Sequence, residues 1–411
     1  MREHMDRKGF LALSGATGLA AFLAACGGSS SSDSGSDSVN EAQADGMTAE
    51  EAAAGGSFDP ASEPGGPIEI FTWAGYDDDP EAGAPWMWSV YQEGPYAAES
   101  PLKFTFLEDD GQALSKVASG YSPDISHPCI AYTVQWRDAG LIQPLDLKLL
   151  PDFAGVPEAI SAGAVLDGVP YMVPFDVGFS CLTYDADAIS FDNFGGEETW
   201  QVLLDETYKG KMALFSDDVA VIKIGHLINE SQAGNPPSDP NVMTTEQIAA
   251  AKETALKVKS NLRNYWTSQT DTVNDFINGN LLATYTWPDG YWKIKNDPKM
   301  KDRNIKYMQP VEGRLAWVCG MVLSSATKQP GRATMAMASS NTPEAGAALT
   351  DVFQYASAQQ KGVMDLIQDK ALISAFDIDK PEAWAPPNAW FEAPLPNYRE
   401  YVTAGQEVKA S

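Results

Sequence analysis

The sequence predicts an α/β protein in which two successive sets of strand–helix–strand units are built around a mostly parallel sheet. Three observations carry this expectation. Short apolar runs alternate with helical patterns from Ile68 onward. A second set of the same kind begins after Pro170. Several strands end on tryptophan beside polar or acidic residues, which is where open α/β sheets hold their ligands.

In the first set, IEIFTW from Ile68 and LKFTFLE from Leu102 read as strands with a helical stretch between them. GQALSKVASG reads as a helix, PDISHP as a short strand entering a loop, and VQWRDAGLIQPLD as a helix ending near Gly140. In the second set, YMVPFDVGFSCLTYD is strand-like, and KMALFSDDVAVIKIGHLINE gives strand, acidic turn and helix. Thr244 is placed to cap a long helix running to about Tyr265, with Gln247 as its reciprocal partner three residues on. NLLATYTWPDGYW is a strand ending on aromatics, and RLAWVCGMVLSS is another strand. Thr342-Pro343-Glu344 opens a helix expected to reach about Ala358. The Pro- and Trp-rich tail from Ile378 is expected to wrap the surface, and no internal repeat is present.

The chain has 411 residues and a formal net charge of −28, so phosphate would be repelled and nucleic acid is excluded as a partner. Residues 1–26 combine a basic start at Arg7 and Lys8, a Gly/Ala-rich apolar run and the stretch Leu23-Ala24-Ala25-Cys26. That run is too short for a comfortable transmembrane helix and reads as an export signal. Residues 27–67 are rich in Ser, Gly, Asp, Glu and Ala and read as a disordered acidic tether. Its mean reach is on the order of 35 Å.

Besides Cys26, the cysteines are Cys129, Cys181 and Cys319, which outside the cytosol allow one disulfide and leave one thiol. With only His4, His127 and His226 present, no histidine-based metal cluster is expected, and no cofactor motif is found. Catalytic signatures are absent: there is no nucleophile elbow, no paired-histidine zinc helix and no phosphate-cradling glycine loop. Asp217 and Asp218 are adjacent, so on a strand end their side chains point apart rather than pairing as glycosidase carboxylates do. The chain is expected not to be an enzyme.

What remains is a pattern at the strand ends. Trp73 lies near Tyr76 and Asp77, Trp287 near Asp289, and Trp317 near Cys319, while Ser216-Asp217-Asp218 supplies carboxylates without a ring. A cation over indole faces gains about 0.5–2 kcal/mol per contact, and a carboxylate adds a charge-assisted hydrogen bond. The pattern suits a small amine between aromatic walls.

The blocks IFTWAGY, YSPDISHPCIAYTVQWRDAGLIQPLD, GVPYMVPFDVGFSCLTYDAD, YKGKMALFSDD and EGRLAWVCGMVLSSATKQP, in this order and spacing, resemble the substrate-binding proteins of polyamine (spermidine/putrescine) ABC importers. The resemblance extends from about Ile68 to Lys380 and implies a two-lobed periplasmic-binding-protein fold with a ligand cleft between lobes and crossing hinge segments. The implied division is residues 68–175 and 314–375 in lobe 1, 176–313 in lobe 2, and 376–411 as a return to lobe 2 with the tail. Leu23-Ala24-Ala25-Cys26 resembles a lipobox, which implies lipidation at Cys26 and an envelope location. The implied partners are a small cationic ligand and a membrane permease, with the receptor itself monomeric.

Carried over by position, Trp73 and Tyr76 line the cleft, Asp218 meets an amine, and Trp287 and Trp317 stack on the methylene chain. The sequence departs from the family at Cys319, where a carboxylate is common, at Cys129, where Ser or Thr is usual, and at Val221, where Glu is expected. Asp289, Asp77 or Asp176 would then supply the missing charge, or the ligand carries fewer charges, as a quaternary amine or modified polyamine does. The same positions imply a Cys129–Cys319 disulfide with Cys181 as the lone thiol. Two rival readings stay open: a receptor for a neutral or anionic solute, and an adhesion or scaffold lipoprotein that keeps the fold without a working cleft.

Overall fold

The computed structural model describes residues 58–411. The expected signal segment, Cys26 and most of the expected tether lie outside the described residues. The last ten residues assigned to the tether do not: Phe58 donates its N–H to Asp146, and Glu63 accepts from the Gly331 and Arg332 amides. This stretch is therefore part of the folded body.

In chain order the first strands are β1 (Ile68–Trp73), β2 (Leu102–Leu107), β3 (Ile125–Ser126), the short hairpin β4 (Val165–Leu166) and β5 (Val169–Pro170), and β6 (Met172–Asp185). There follow β7 (Met212–Phe215), β8 (Asn264–Trp266), β9 (Ala283–Thr286), β10 (Ile305–Tyr307), β11 (Arg314–Leu323), β12 (Ala356–Ser357) and β13 (Ala389–Phe391). The main helices are α1 (Pro85–Gln92), α2 (Asp110–Ala118), α3 (Asp218–Gln232), α4 (Thr245–Asn261), α5 (Gln269–Ile277) and α6 (Pro288–Asn296). α7 (Pro330–Ser340), α8 (Pro343–Phe353) and α9 (Tyr398–Ala410) complete the set.

The strand order is β2-β1-β3-β11-β6-β9-β7-β8, with β10 and β12 also on β6 and β13 on β11. Pairing is parallel at each flank, β1 with β2 and β3, and β7 with β8 and β9. The two long strands between the flanks, β6 and β11, run antiparallel to each other. The sheet is mixed, a correction to the mostly parallel expectation. Alternation of strands and helices reports the flanks, while a crossing pair carries no such signal.

β6 and β11 are the members common to both flanks, and every residue of β6 is buried. Burial on both faces is why its sequence reads as an apolar run rather than an alternation. Their register slips between Cys319 and Gly320. A Cβ on Gly320 would sit 2.3 Å from the Val173 carbonyl oxygen, so only glycine permits this approach.

The Thr244 capping box forms as expected, although α4 stops at Asn261. The helix opened by Thr342 ends at Phe353, short of Ala358, because Gln354 takes a left-handed conformation (φ 58°) and the chain continues as β12. The tail also differs from expectation. Trp384 stacks on Phe179 at 4.0 Å, β13 adds to β11, and α9 buries Tyr401 fully against the α3–α4 layer. Trp384 and Trp390 are buried while Pro381, Pro386, Pro387 and Pro396 stay exposed, so the tail runs along the surface but anchors itself through its tryptophans, β13 and α9.

Candidate functional site

The crossing strands bring several predicted residues to one region. In the β6–β11 ladder Trp317 pairs with Gly178 and Cys319 with Asp176. Directly paired residues share a sheet face, and the Trp317 ring lies on Gly178, which Pro288 also approaches, while Tyr355 meets the indole edge-on at 5.0 Å. On the far side of β11, β13 runs parallel in the register Phe391 to Ala316, and the Glu392 amide donates to the Ala316 carbonyl. Glu392 therefore falls beside Trp317, on the same face.

Tyr76, just past the end of β1, donates its hydroxyl to Asp176 at 2.8 Å. His127 Nε2 is 3.2 Å from the other Asp176 oxygen and its Nδ1 is 2.9 Å from the Thr72 hydroxyl. Tyr76 also stacks on Phe353 at 4.8 Å. These partners explain how a carboxylate 3 % exposed is tolerated within the crossing strand.

The β7–β9 flank supplies a second aromatic wall. Trp287 meets Phe215 and Trp266 edge-on at 5.3 and 5.6 Å. Its amide donates to Gln269, whose side-chain N–H in turn donates to Asp289. Asp289 is bound by the Lys293 ammonium at 2.7 Å, and its charge acts on the buried Tyr355 hydroxyl. Tyr355 thus places the α8–β12 corner near α6.

Asp217 caps α3, accepting from the Ala220 amide. Burial raises its pKa first, with Lys223 opposing. Glu392, surrounded by protein on nearly every side although part of its surface remains accessible, is pushed up to about 7 by desolvation against the pull of Lys223. Asp110, at the start of α2, is likewise raised to about 7 by burial, even though it accepts the Cys129 amide at 2.9 Å. Lys223 itself is lowered by burial, with Glu392, Asp217 and Asp239 countering. The Tyr132 hydroxyl lies near that of Tyr398, which brings the segment following Cys129 close to the start of α9.

Cys129 and Cys319 form the disulfide that the resemblance implied, and Cys181 is the buried free thiol. Not every predicted residue converges. Asp77 sits in an acidic turn whose charged neighbours are Asp78 and Asp79. Asp218 meets an amine, but it is the Lys409 ammonium of α9, at 2.8 Å. Trp73 lies half-buried between the two largest hydrophobic clusters. Sequence reasoning did not single out Asp110, Tyr355 or Glu392. Tyr355 follows a helix end that was misplaced, and Glu392 lies in a tail read as surface. A separate open groove of about 810 Å³, lined by residues including Tyr291, Lys301, Arg303 and Arg314, contains none of the predicted site residues. Among the described residues no cluster suited to a metal ion is present.

Two flanks of strands joined by a crossing pair, with aromatic and acidic side chains gathered at the crossing, define the periplasmic-binding-protein class. Residues 102–373 match the bacterial extracellular solute-binding protein family, and the chain belongs to it. It is a binding protein rather than an enzyme. The putrescine-binding periplasmic protein PotF of Escherichia coli is 22 % identical over 244 residues, spanning 58 % of this chain and 65 % of that relative. The spermidine/putrescine substrate-binding protein PotD of Streptococcus pneumoniae superposes with a TM-score of 0.64 at 16 % identity, covering 84 % of this chain and 98 % of that one. The Agrobacterium tumefaciens binding protein MotA, in complex with glucopine, gives 0.62 at 18 % identity, covering 84 % and 100 %.

Proposed function

We propose that the chain is the lipid-anchored receptor of an ABC importer, capturing a small cationic amine and delivering it to a membrane permease. The observation that carries this reading is the charge balance at the crossing strands. Asp110, Asp217 and Glu392 gather there against one buried ammonium, Lys223, while Asp176 is held by Tyr76 and His127, and Asp289 and Asp218 already hold Lys293 and Lys409. Uncompensated carboxylates in low-dielectric surroundings are costly unless a cation joins them. Tyr76, Trp287 and Trp317, with the Cys129–Cys319 disulfide, supply apolar walls for its methylene or methyl groups. Release follows from a lower affinity of the open state than of the closed one.

A thermal-shift panel of putrescine, spermidine, spermine, choline, betaines, amino acids and sugars tests it. A ligand at 100 times its dissociation constant adds about 2.7 kcal/mol of stability. The expected result is a rise with at least one amine and none with sugars; a rise with sugars alone contradicts it.

One observation favours a second reading. The indole N–H of Trp317 is buried without a partner among the described residues. Indole donates only, so an ammonium cannot satisfy it. A ligand that joins an amine to an acceptor-rich part, as in a sugar–amino acid conjugate, satisfies both the carboxylates and the indole. A larger shift with such a conjugate than with any simple polyamine selects this reading.

A further inference from the structure

We propose that the Cys129–Cys319 disulfide is a positioning element that holds Asp110 in place as the carboxylate through which the β1–β3 flank contacts the ligand. The inference rests on the cationic-ligand reading above. Three geometric relationships support it.

First, the disulfide joins segments 190 residues apart, the loop after β3 and the crossing strand β11. It falls at an antiparallel bridge between Cys129 and Cys319, reinforced by the Gly320 amide donating to the Pro128 carbonyl. Second, one end of the crosslink is the residue that fixes Asp110, since the Cys129 amide donates to the Asp110 carboxylate at 2.9 Å. Third, the other end belongs to the row that carries Trp317, because Cys319 lies two residues from it in β11 and pairs with Asp176. The disulfide therefore couples the position of a carboxylate on α2 to the strand that presents the indole.

The charged surroundings of Asp110 give it something to do. The groups facing it are Asp109 on its own helix, Asp176 on β6 and Glu392 on the segment after β13, all acidic. The Tyr132 hydroxyl, also affected by Asp110, lies near that of Tyr398. Lys223 acts on Glu392 and Asp217. Among the described residues no Lys or Arg pairs with Asp110. A carboxylate raised by burial to about 7 is largely protonated in the empty cleft below that pH and is driven to ionise when a ligand ammonium arrives, so its ionisation couples binding to pH. The disulfide occupies the positions where a carboxylate and a hydroxyl are expected, and the charge is supplied instead by Asp110, one hydrogen bond away.

Calorimetric titration of the full chain with putrescine, spermidine and choline between pH 5.5 and 8.5 tests the proposal, using wild type, Asp110→Asn, Cys129→Ala/Cys319→Ala and the triple variant. For the best amine, wild-type affinity is expected to rise through about pH 7 and Asp110→Asn to lose about tenfold or more at pH 8. Removing the crosslink is expected to weaken and flatten the same pH profile, with the triple variant no worse than Asp110→Asn. Wild-type affinity and profile in Asp110→Asn overturn the proposal. So does an unchanged profile in the crosslink variant, or additive losses in the triple variant. Asp110→Asn keeps the disulfide, so it decides the outcome even if the crosslink variant does not fold. If the wild type binds none of the three amines, the cationic-ligand reading fails and this inference falls with it; if it binds but Asp110→Asn does too, only this inference falls.

Discussion

Trp317 rests on Gly178, so closely that a Cβ at position 178 would stand 2.5 Å from the indole ring. The glycine is what allows an indole to rest on the crossing strand. Gly178→Ala is therefore expected to lift the ring, costing about 1–3 kcal/mol of stability through overpacking and weakening ligand binding. Urea denaturation and calorimetry read the two effects; a variant matching wild type in both would show that the ring has room elsewhere.

The Tyr76 hydroxyl gives the buried Asp176 carboxylate one of its two side-chain partners, with His127 as the other. Tyr76→Phe removes one donor without opening a cavity. The expected loss is about 1–2 kcal/mol, the range for leaving a buried acceptor under-satisfied, read as a lower urea midpoint at pH 7.5.

Asp110 and Glu392 both have folded-state pKa values raised by burial to about 7. The folded protein then holds these protons at pH values where the unfolded chain has released them. Their contribution to stability is complete below the ordinary carboxylate range and is lost as pH rises toward 7. Ligand-free Asp110→Asn and Glu392→Gln should each show a flatter melting-temperature profile between pH 4.5 and 7.5 than wild type. A steeper profile would contradict the assignment.

Arg314 opens β11, pairs with Asp377 at 2.9 Å, and holds its guanidinium 3.5 Å from the Phe179 ring centre. Both partners are almost fully buried, and Lys380 also reaches Asp377. Breaking a buried pair from one side costs about 3–5 kcal/mol. Arg314→Met should fall at the low end because Lys380 remains, and the loss should shrink in the Arg314→Met/Asp377→Asn double variant, a coupling read by a double-mutant cycle.

Much of this architecture was legible in the residues. Strands β1, β2, β6, β7 and β11 stand where apolar runs predicted them, and the Thr244–Gln247 box stands where its residue types required. Local hydrogen-bonding chemistry and side-chain periodicity act over a few positions, so they survive in sequence. What failed depended on distant partners. The antiparallel crossing of β6 and β11, the early end of α8 and the anchoring of the tail are set by tertiary packing. The site followed the same division. Trp317, Tyr76 and Trp287 were visible as rings at strand ends. Asp218 was misleading because Lys409, 191 positions later, is the ammonium it meets. Asp110 and Glu392 were missed because nothing near them in sequence announces that β11 and the disulfide bring them to the crossing strands.

The central claim is that the cleft selects positive charge carried on an apolar frame. Calorimetric titration of the ligand-free protein with the amine that gives the largest thermal shift, and with the analogue in which hydroxyls replace its amines (1,4-butanediol for putrescine), tests it most directly. The account predicts saturable binding of the amine and none of the diol over the same concentration range. Equal binding of the two, or binding of the diol alone, would contradict it.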